Sequence, residues 1–367
     1  MVEKKVIYFD YNATRPIRSS VKKLLAEMYE YTGNPSSIHT QGAFMKKKLE
    51  NARTSVAKSL SIHTKNIIWT SGATESNNTV LQGYKGPVIV SAVEHPSVFN
   101  VREDKLICRV DKNGVINLQA LEHLLQKYPK ALVCVTAAVS ETGVLQPLEE
   151  IIELTHKFKG FVFSDCVQAV GRTQVPWDKL DGFSLSGHKI GTPFGIGMLA
   201  LKPALKLQPL MIGGGQENYK RAGTINVYGA LAFAQALTET LNESWDYVKK
   251  LRATFETELQ KIYPDAIIVG QDAPRLPNTI GLITPNLLSS TQMMSYDIEG
   301  FCLSLGIACS SGTMKTNENL ERMGFSKKLA DCFIRISLGT DNTLEEVHRF
   351  LEATQKLKGR SQAKYAS

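Results

Sequence analysis

The chain has 367 residues, 43% hydrophobic and 21% charged, a composition that fits an ordinary soluble globular protein and is long enough for two packed units rather than one minimal core. Its formal charge of +8 points to an acidic protein partner and away from nucleic acid, because Lys and Arg are spread along the chain with no basic run interleaved with aromatics. The six cysteines, at 108, 134, 166, 302, 309 and 332, form no CxxC pair and no metal-ligand spacing, so a reducing cytoplasmic setting and no resident metal are expected.

At the start, Met1–Lys5 runs straight into strand-like Val6-Ile7-Tyr8-Phe9, and no apolar run approaches the roughly 18 residues of a membrane helix, so neither a targeting segment nor a membrane span is expected. The spacing of Val21, Leu24, Leu25 and Met28 predicts a helix over 17–31, followed by a loop at Gly33-Asn34-Pro35-Ser36-Ser37 and a second helix over 42–60. Ile67-Ile68-Trp69 is a short buried strand that runs into Thr70-Ser71-Gly72-Ala73-Thr74-Glu75-Ser76-Asn77, the opening of the next helix. Such a turn aims free backbone N–H groups at one spot and suits a phosphate; Ser71 or Thr74 serving only as an N-cap is the alternative. Strands at 88–90, 106–110, 131–136 and 161–163, with helices over 118–127 and 148–158 between them, predict an α/β fold with a mostly parallel sheet covered on both faces. Ligands of such sheets bind outside the carboxyl ends of the strands, so His95, Ser140, Asp165 and the loop around Lys189, which all follow strand-like runs, are expected at one crevice. One long helical stretch over 227–262 is expected to carry the chain into a smaller unit.

The most informative stretch is Ser184-Leu185-Ser186-Gly187-His188-Lys189-Ile190-Gly191-Thr192. A lysine on a tight loop behind an apolar strand loses solvation, its amine becomes nucleophilic, and Schiff-base chemistry follows. Asp165 is either a loop carboxylate or, opposite such a lysine, the partner that keeps a pyridinium nitrogen protonated, with Gln168 near the same ring. His95 is a loop histidine or a ring lying flat on a planar cofactor. The loop Gly213–Thr224 is a connector or, through Thr224, part of a phosphate cup. Cys309, in the small-residue cluster Ala308-Cys309-Ser310-Ser311-Gly312, is a core cysteine or an accessible reactive thiol. Arg335 sits between apolar neighbours in Ile334-Arg335-Ile336-Ser337-Leu338-Gly339 and needs an anionic partner, for which a substrate carboxylate is a natural choice.

Taken together, Tyr8-Phe9-Asp10-Tyr11-Asn12-Ala13-Thr14, Ser71–Asn77, Glu94-His95, Asp165-Cys166-Val167-Gln168, Ser186–Lys189, Arg221-Ala222-Gly223-Thr224, Ala308–Gly312 and Ile334–Gly339 resemble, in order and spacing, the NifS-type cysteine desulfurases of the class V aminotransferases. The resemblance implies the aspartate-aminotransferase-like fold of pyridoxal 5'-phosphate (PLP) enzymes, with residues 15–240 as a large cofactor-binding domain and 1–14 with 241–367 as a small one. It implies a homodimer that turns L-cysteine into L-alanine and passes sulfur to an acceptor protein of iron–sulfur cluster assembly or tRNA thiolation. By the same resemblance Lys189 carries the cofactor and Asp165 partners its ring nitrogen. His95 stacks on the ring, and Gln168 approaches the phenolic oxygen. Ala73, Thr74, Ser186 and His188 take the phosphate, helped by Thr224 of a second copy. Arg335 with Asn34 clamps the substrate carboxylate, and Cys309 accepts the sulfur and is the only residue that an iron–sulfur cluster would touch, transiently, during transfer. The segment from Cys309 to Met323 resembles the subgroup with an extended cysteine loop. Two positions depart from the pattern. Ser140 stands where the family usually has an asparagine on the phenolic oxygen, and Asn218 where an arginine is common. An aminotransferase or selenocysteine lyase of the same fold, or a non-catalytic sulfur-relay subunit, is the competing expectation.

Overall fold

The computed structural model describes residues 6–305 and 317–366. Its centre is a seven-stranded sheet in the order Ile67–Thr70, Gly197–Leu201, Gly182–Ser186, Phe161–Asp165, Leu132–Thr136, Val88–Ser91, Leu106–Cys108. All neighbours pair in parallel except Gly197–Leu201, which is antiparallel to both strands beside it. Most of these strands are buried along their whole length, as continuous Val/Ile/Leu runs require when helices cover both faces. The register sets Thr136 opposite Asp165 and Asp165 opposite Ser184, so the polar ends of three adjacent strands come level at one edge.

A second core lies around Phe9, Phe255, Phe301 and Phe350, whose rings meet at centroid distances of 5.0 to 6.0 Å. It carries the antiparallel strands Ile267–Ile268, Thr279–Ile283 and Phe333–Ser337, together with Ile7–Tyr8 paired in parallel to Phe301–Cys302. Between the two cores runs a seam of Val93, Val139 and Val144 against Ile283, Leu320 and Phe333.

The helix expected over 227–262 is two helices, Val227–Leu241 and Asp246–Ile262, broken at 242–245. The first is buried against the large sheet and the second against the phenylalanine core, so one straight rod could not serve both. The break also sets Glu243 between Arg15 (2.6 Å) and Arg18 (2.8 Å). Sequence pattern alone missed the strand Gly197–Leu201, whose glycine-punctuated approach reads as loop.

The glycine-rich loop at 213–223 has an internal strut. Glu217, Asn218 and Tyr219 all take positive φ, of 47°, 54° and 63°. Such residues cost about 1–3 kcal/mol each unless their surroundings hold them. Holding them is the buried Glu217 carboxylate, which accepts from Arg53 Nη1 (2.9 Å), Arg53 Nη2 (2.6 Å) and the Trp69 backbone N–H (2.9 Å). Asn218 thus has a local reason for departing from arginine, since asparagine tolerates this backbone region better than most residues. Breaking a buried pair by removing one partner costs about 3–5 kcal/mol. Arg53→Met should lower unfolding stability by that order in urea titrations; a loss below about 1 kcal/mol would mean that the loop is held by something else.

Candidate active site

Five strand ends of the large sheet and the first strand of the chain converge on one cavity of about 880 Å³. Its lining includes Ala73, Thr74, His95, Ser140, Asp165, Gln168, Ser186, His188, Lys189 and Arg335. Asn34 and Thr224 are exposed and do not line it. Asn34 Oδ1 accepts from the Ser36 N–H at 2.9 Å, a local loop contact. Cys309 lies outside the described residues; of the segment expected to follow it, the helix Glu318–Arg322 is described. Its Asn317 cap and Arg322 also line the cavity.

Lys189 Nζ donates to the carbonyls of Asn12 (2.6 Å) and Ala13 (2.7 Å). Loss of solvation, then the cations of Arg335 and Arg172, pull its amine down to about 7, against the opposing pull of Asp10 and Asp165. Burial, then Lys189, lowers His188 to about 4, so its ring is neutral through the physiological range.

Asp165 is fixed by two donors, the Val167 N–H to Oδ1 (3.1 Å) and Asn77 Nδ2 to Oδ2 (2.8 Å). Asn77 is held in turn by Ser184 Oγ at 2.7 Å and donates to Ser97 Oγ at 2.9 Å. Ser97 meets His95 Nδ1 through both its hydroxyl (2.7 Å) and its backbone N–H (3.1 Å). Because the N–H can only donate, Nδ1 accepts, and the proton of a neutral His95 sits on Nε2. A continuous polar chain therefore ties Asp165 to His95, with both ends on the cavity.

The helix Ala73–Gly83 starts at the cavity with no side chain capping it, so its first N–H groups lack intrahelical partners. A Cβ built on Gly72 would meet only Ser186 Oγ, at 3.9 Å, which leaves room for an anion in front of this turn.

The structure adds contacts around the cavity that the sequence reading did not assign. Asn12, wholly buried, satisfies every polar atom it has. Its N–H donates to Ser337 Oγ (3.0 Å), and its carbonyl accepts from Gln168 Nε2 (2.9 Å) as well as Lys189. Its Oδ1 accepts from Arg172 (2.8 Å) and Asn278 (3.1 Å), and its Nδ2 donates to the Ser140 carbonyl (3.1 Å) and Thr279 Oγ1 (2.9 Å). Glu94, the chain neighbour of His95, is buried; desolvation, with Asp165 and Glu141 nearby, raises its carboxyl well above the usual range, while its Oε1 accepts from the Thr136 N–H. Arg335 also departs from expectation in one respect: its anionic partner in the protein is Asp10, at 2.8 Å. Ser140 Oγ donates to Glu141 Oε2 at 2.8 Å, so its single proton is engaged by a second residue of the cavity lining. Asp10, Asn12 and Glu94 fall within Tyr8–Thr14 and Glu94-His95, stretches that the sequence reading marked without giving these three residues a role.

A parallel-sheet crevice with a desolvated lysine, a pinned carboxylate and an open helix start suits group transfer on a small molecule, the chemistry for which the class V aminotransferases are named. The chain belongs to that family: residues 7–350 match the aminotransferase class-V model. It is 33% identical to the cysteine desulfurase IscS of Dictyoglomus turgidum, over 96% of this chain and 95% of that protein. Identity to cysteine desulfurase IscS 1 of Archaeoglobus fulgidus is 32%, over 94% and 95%. The solved NifS-like protein of Rickettsia africae ESF-5 superposes with a TM-score of 0.89 at 34% identity, covering 96% of this chain and 99% of that one.

Between about 7 and the 10.5 of an unburied lysine, the folded chain lacks a proton at Lys189 that the unfolded chain keeps. Its contribution to stability therefore rises with pH across that window, and the cost of burying the ammonium is felt in full below it. Acylation of Lys189 in cofactor-stripped protein, followed by peptide mass spectrometry, should be half-maximal near pH 7. Arg335→Gln, which removes a neighbouring cation, should move that midpoint up; a midpoint near that of surface lysines in both proteins would contradict the electrostatics.

Proposed function

We propose that this protein is a cysteine desulfurase that converts L-cysteine to L-alanine with PLP and carries the released sulfur as a persulfide on Cys309. The observation that carries the reading is Lys189, a buried lysine whose amine is brought down to about 7, in one cavity of small-molecule size with a pinned Asp165. Full-length similarity to proteins named cysteine desulfurase supports the choice of reaction.

The residues present fit the cofactor. The uncapped start of Ala73–Gly83, with Thr74, Ser186 and His188, offers N–H and hydroxyl donors for a phosphate. Asp165 would hold the ring nitrogen, His95 would lie on the ring, and Gln168 and Ser140 stand on the phenolic side. Gln168 has one amide proton committed to Asn12 and its oxygen to Arg172, leaving the second proton for a ligand. Bound there, PLP supplies an electron sink for charge developing at the substrate α-carbon.

The chain's own groups do the rest. Arg335 binds the substrate carboxylate and fixes the α-carbon within reach of Lys189. The Lys189 amine, brought down to about 7 and so increasingly uncharged above it, takes the α-proton and can return it. Cys309 thiolate attacks the substrate sulfur: an S–S bond forms, the C–S bond breaks with its electron pair left on the three-carbon fragment, and that fragment takes up the proton that the Cys309 thiol gave up and leaves as alanine. Residues 15–240 form the cofactor-binding unit in this reading, and 1–14 with 241–367 the unit that carries Cys309.

Two copies complete the site. Phe194 borders the cavity with most of its ring exposed, Ile212 and Tyr219 are exposed on the glycine-rich loop, and Thr224 is exposed and does not line its own chain's cavity. A homodimer would cover these side chains and bring Thr224 to the second copy's phosphate. The net positive charge suits an acidic sulfur-acceptor protein. The free cysteines at 108, 134, 166, 302 and 332 and the lack, among the described residues, of a helix able to cross a membrane fit a cytoplasmic setting.

Borohydride reduction should fix PLP to Lys189 and bleach the bound-cofactor absorbance, and L-cysteine should yield alanine with a persulfide on Cys309. Cys309→Ser should keep the absorbance and lose the persulfide. Label on another lysine, or sulfur delivery by Cys309→Ser at the wild-type rate, would refute the assignment.

A further inference from the structure

Arg335 lies mid-strand in Phe333–Ser337, opposite Gly281, and is only 6% exposed. A guanidinium so buried needs a counter-charge. Asp10 supplies it: its Oδ1 accepts from Arg335 Nη2 at 2.8 Å, and its side chain lines the same cavity. Arg335 Nη1 donates to the Ser140 carbonyl at 3.3 Å, whereas the buried Nε has no partner among the described residues. The planar fork is thus held on two sides and left with donor capacity unused.

We propose that Asp10 is a resident carboxylate that occupies Arg335 in the substrate's stead, so that it sets how tightly the site takes a ligand carboxylate. The inference rests on the reading of Arg335 as the carboxylate clamp. Asp10 is bound to its place by backbone: it bridges Ser337 in parallel, and its carbonyl accepts from the Ala13 N–H at 3.0 Å. It therefore stays beside the guanidinium when a second carboxylate arrives. Two anions then share one cation in a poorly solvated corner, and like charges placed together oppose binding. The consequence is selectivity: a ligand that brings only a carboxylate meets Asp10 as a repulsive neighbour, whereas an amino acid brings an ammonium that the same charge favours. Asp10 also reaches Lys189, whose amine its charge raises against the opposing effects of Arg335 and Arg172, with Asp165 acting in the same sense as Asp10 and His188 neutral alongside.

The probe is 3-mercaptopropionate, which has the carboxylate and thiol of cysteine but no amine to react with the cofactor. Its binding to the full-length holoenzyme is measured by calorimetry in wild type, Asp10→Asn, Asp10→Glu and Arg335→Gln. Asp10→Asn should tighten binding about tenfold, Asp10→Glu should return it toward wild type, and Arg335→Gln should abolish it. The Lys189 acylation midpoint should fall in Asp10→Asn, a shift that a merely structural aspartate would not produce. Should Asp10→Asn fail to accumulate, Asp10→Ser, which keeps a hydroxyl beside the guanidinium, is read in its place. Binding unchanged or weakened in the neutral variant, while Arg335→Gln abolishes it, overturns the role of Asp10 and keeps the clamp. Binding indifferent to Arg335→Gln overturns the clamp and the inference with it.

Discussion

Buried Asn12, through its side-chain amide and its main chain together, is the constraint on which both cores and the cavity depend. Fully removed from water, it can be accommodated only if each donor and acceptor is met, and the partners come from every quarter of the molecule. Ser337, Asn278 and Thr279 belong to the phenylalanine-core side; Ser140, Gln168, Arg172 and Lys189 belong to the large sheet. A shift of either side by an ångström would leave several buried groups unpaired at about 1–3 kcal/mol each, so the amide acts as a gauge of how the two sides meet. It also makes the position of Lys189 a property of the whole fold, since the lysine is held by main-chain carbonyls that the amide fixes.

Around this hub the charges are mixed. Arg335 and Arg172 press on Lys189, Arg15 and Arg335 press on Arg172, and the carboxylates of Asp10, Asp165 and Glu243 partly offset them. Cations crowded in a poorly solvated place lower the charge that any single one can hold. The same crowding brings the Lys189 amine down to about 7. Arg172 shows the cost: buried, with Arg15 and Arg335 nearby, it is steadied by Asn12, Gln168 and the Trp245 ring rather than by a direct carboxylate.

Much of this was legible in the sequence, for identifiable reasons. Apolar runs alternating with 3.6-residue patterns gave the parallel sheet, and residues placed just after those runs met at its edge, because parallel strands all end on one side. The break at 242–245 was not legible: the apolar periodicity continues through it, and only the tertiary demand that one half serve each core interrupts the helix. Nor was the Asp10–Arg335 pair, formed by residues 325 positions apart. Ser140 lines the cavity, as its place after a strand-like run led one to expect, but its bond to the neighbouring Glu141 is a contact that spacing cannot reveal. Exposed Thr224 and Asn34 were matched by motif, and a single chain does not bring them to the cavity.

The threading of the first strand has a consequence for synthesis. Ile7–Tyr8 pairs with Phe301–Cys302, and Asn12 bonds to Ser337 across a separation of 325 residues. A ribosome adding about 5–20 residues per second exposes the amino terminus for on the order of half a minute before these partners emerge. The large sheet, whose strands lie between residues 67 and 201, can assemble in that interval, while the first strand remains a free edge. Lys189 thus leaves the ribosome well before the carbonyls that position it are themselves in place, and the cavity becomes competent only when the carboxyl-terminal strand closes over the amino-terminal one.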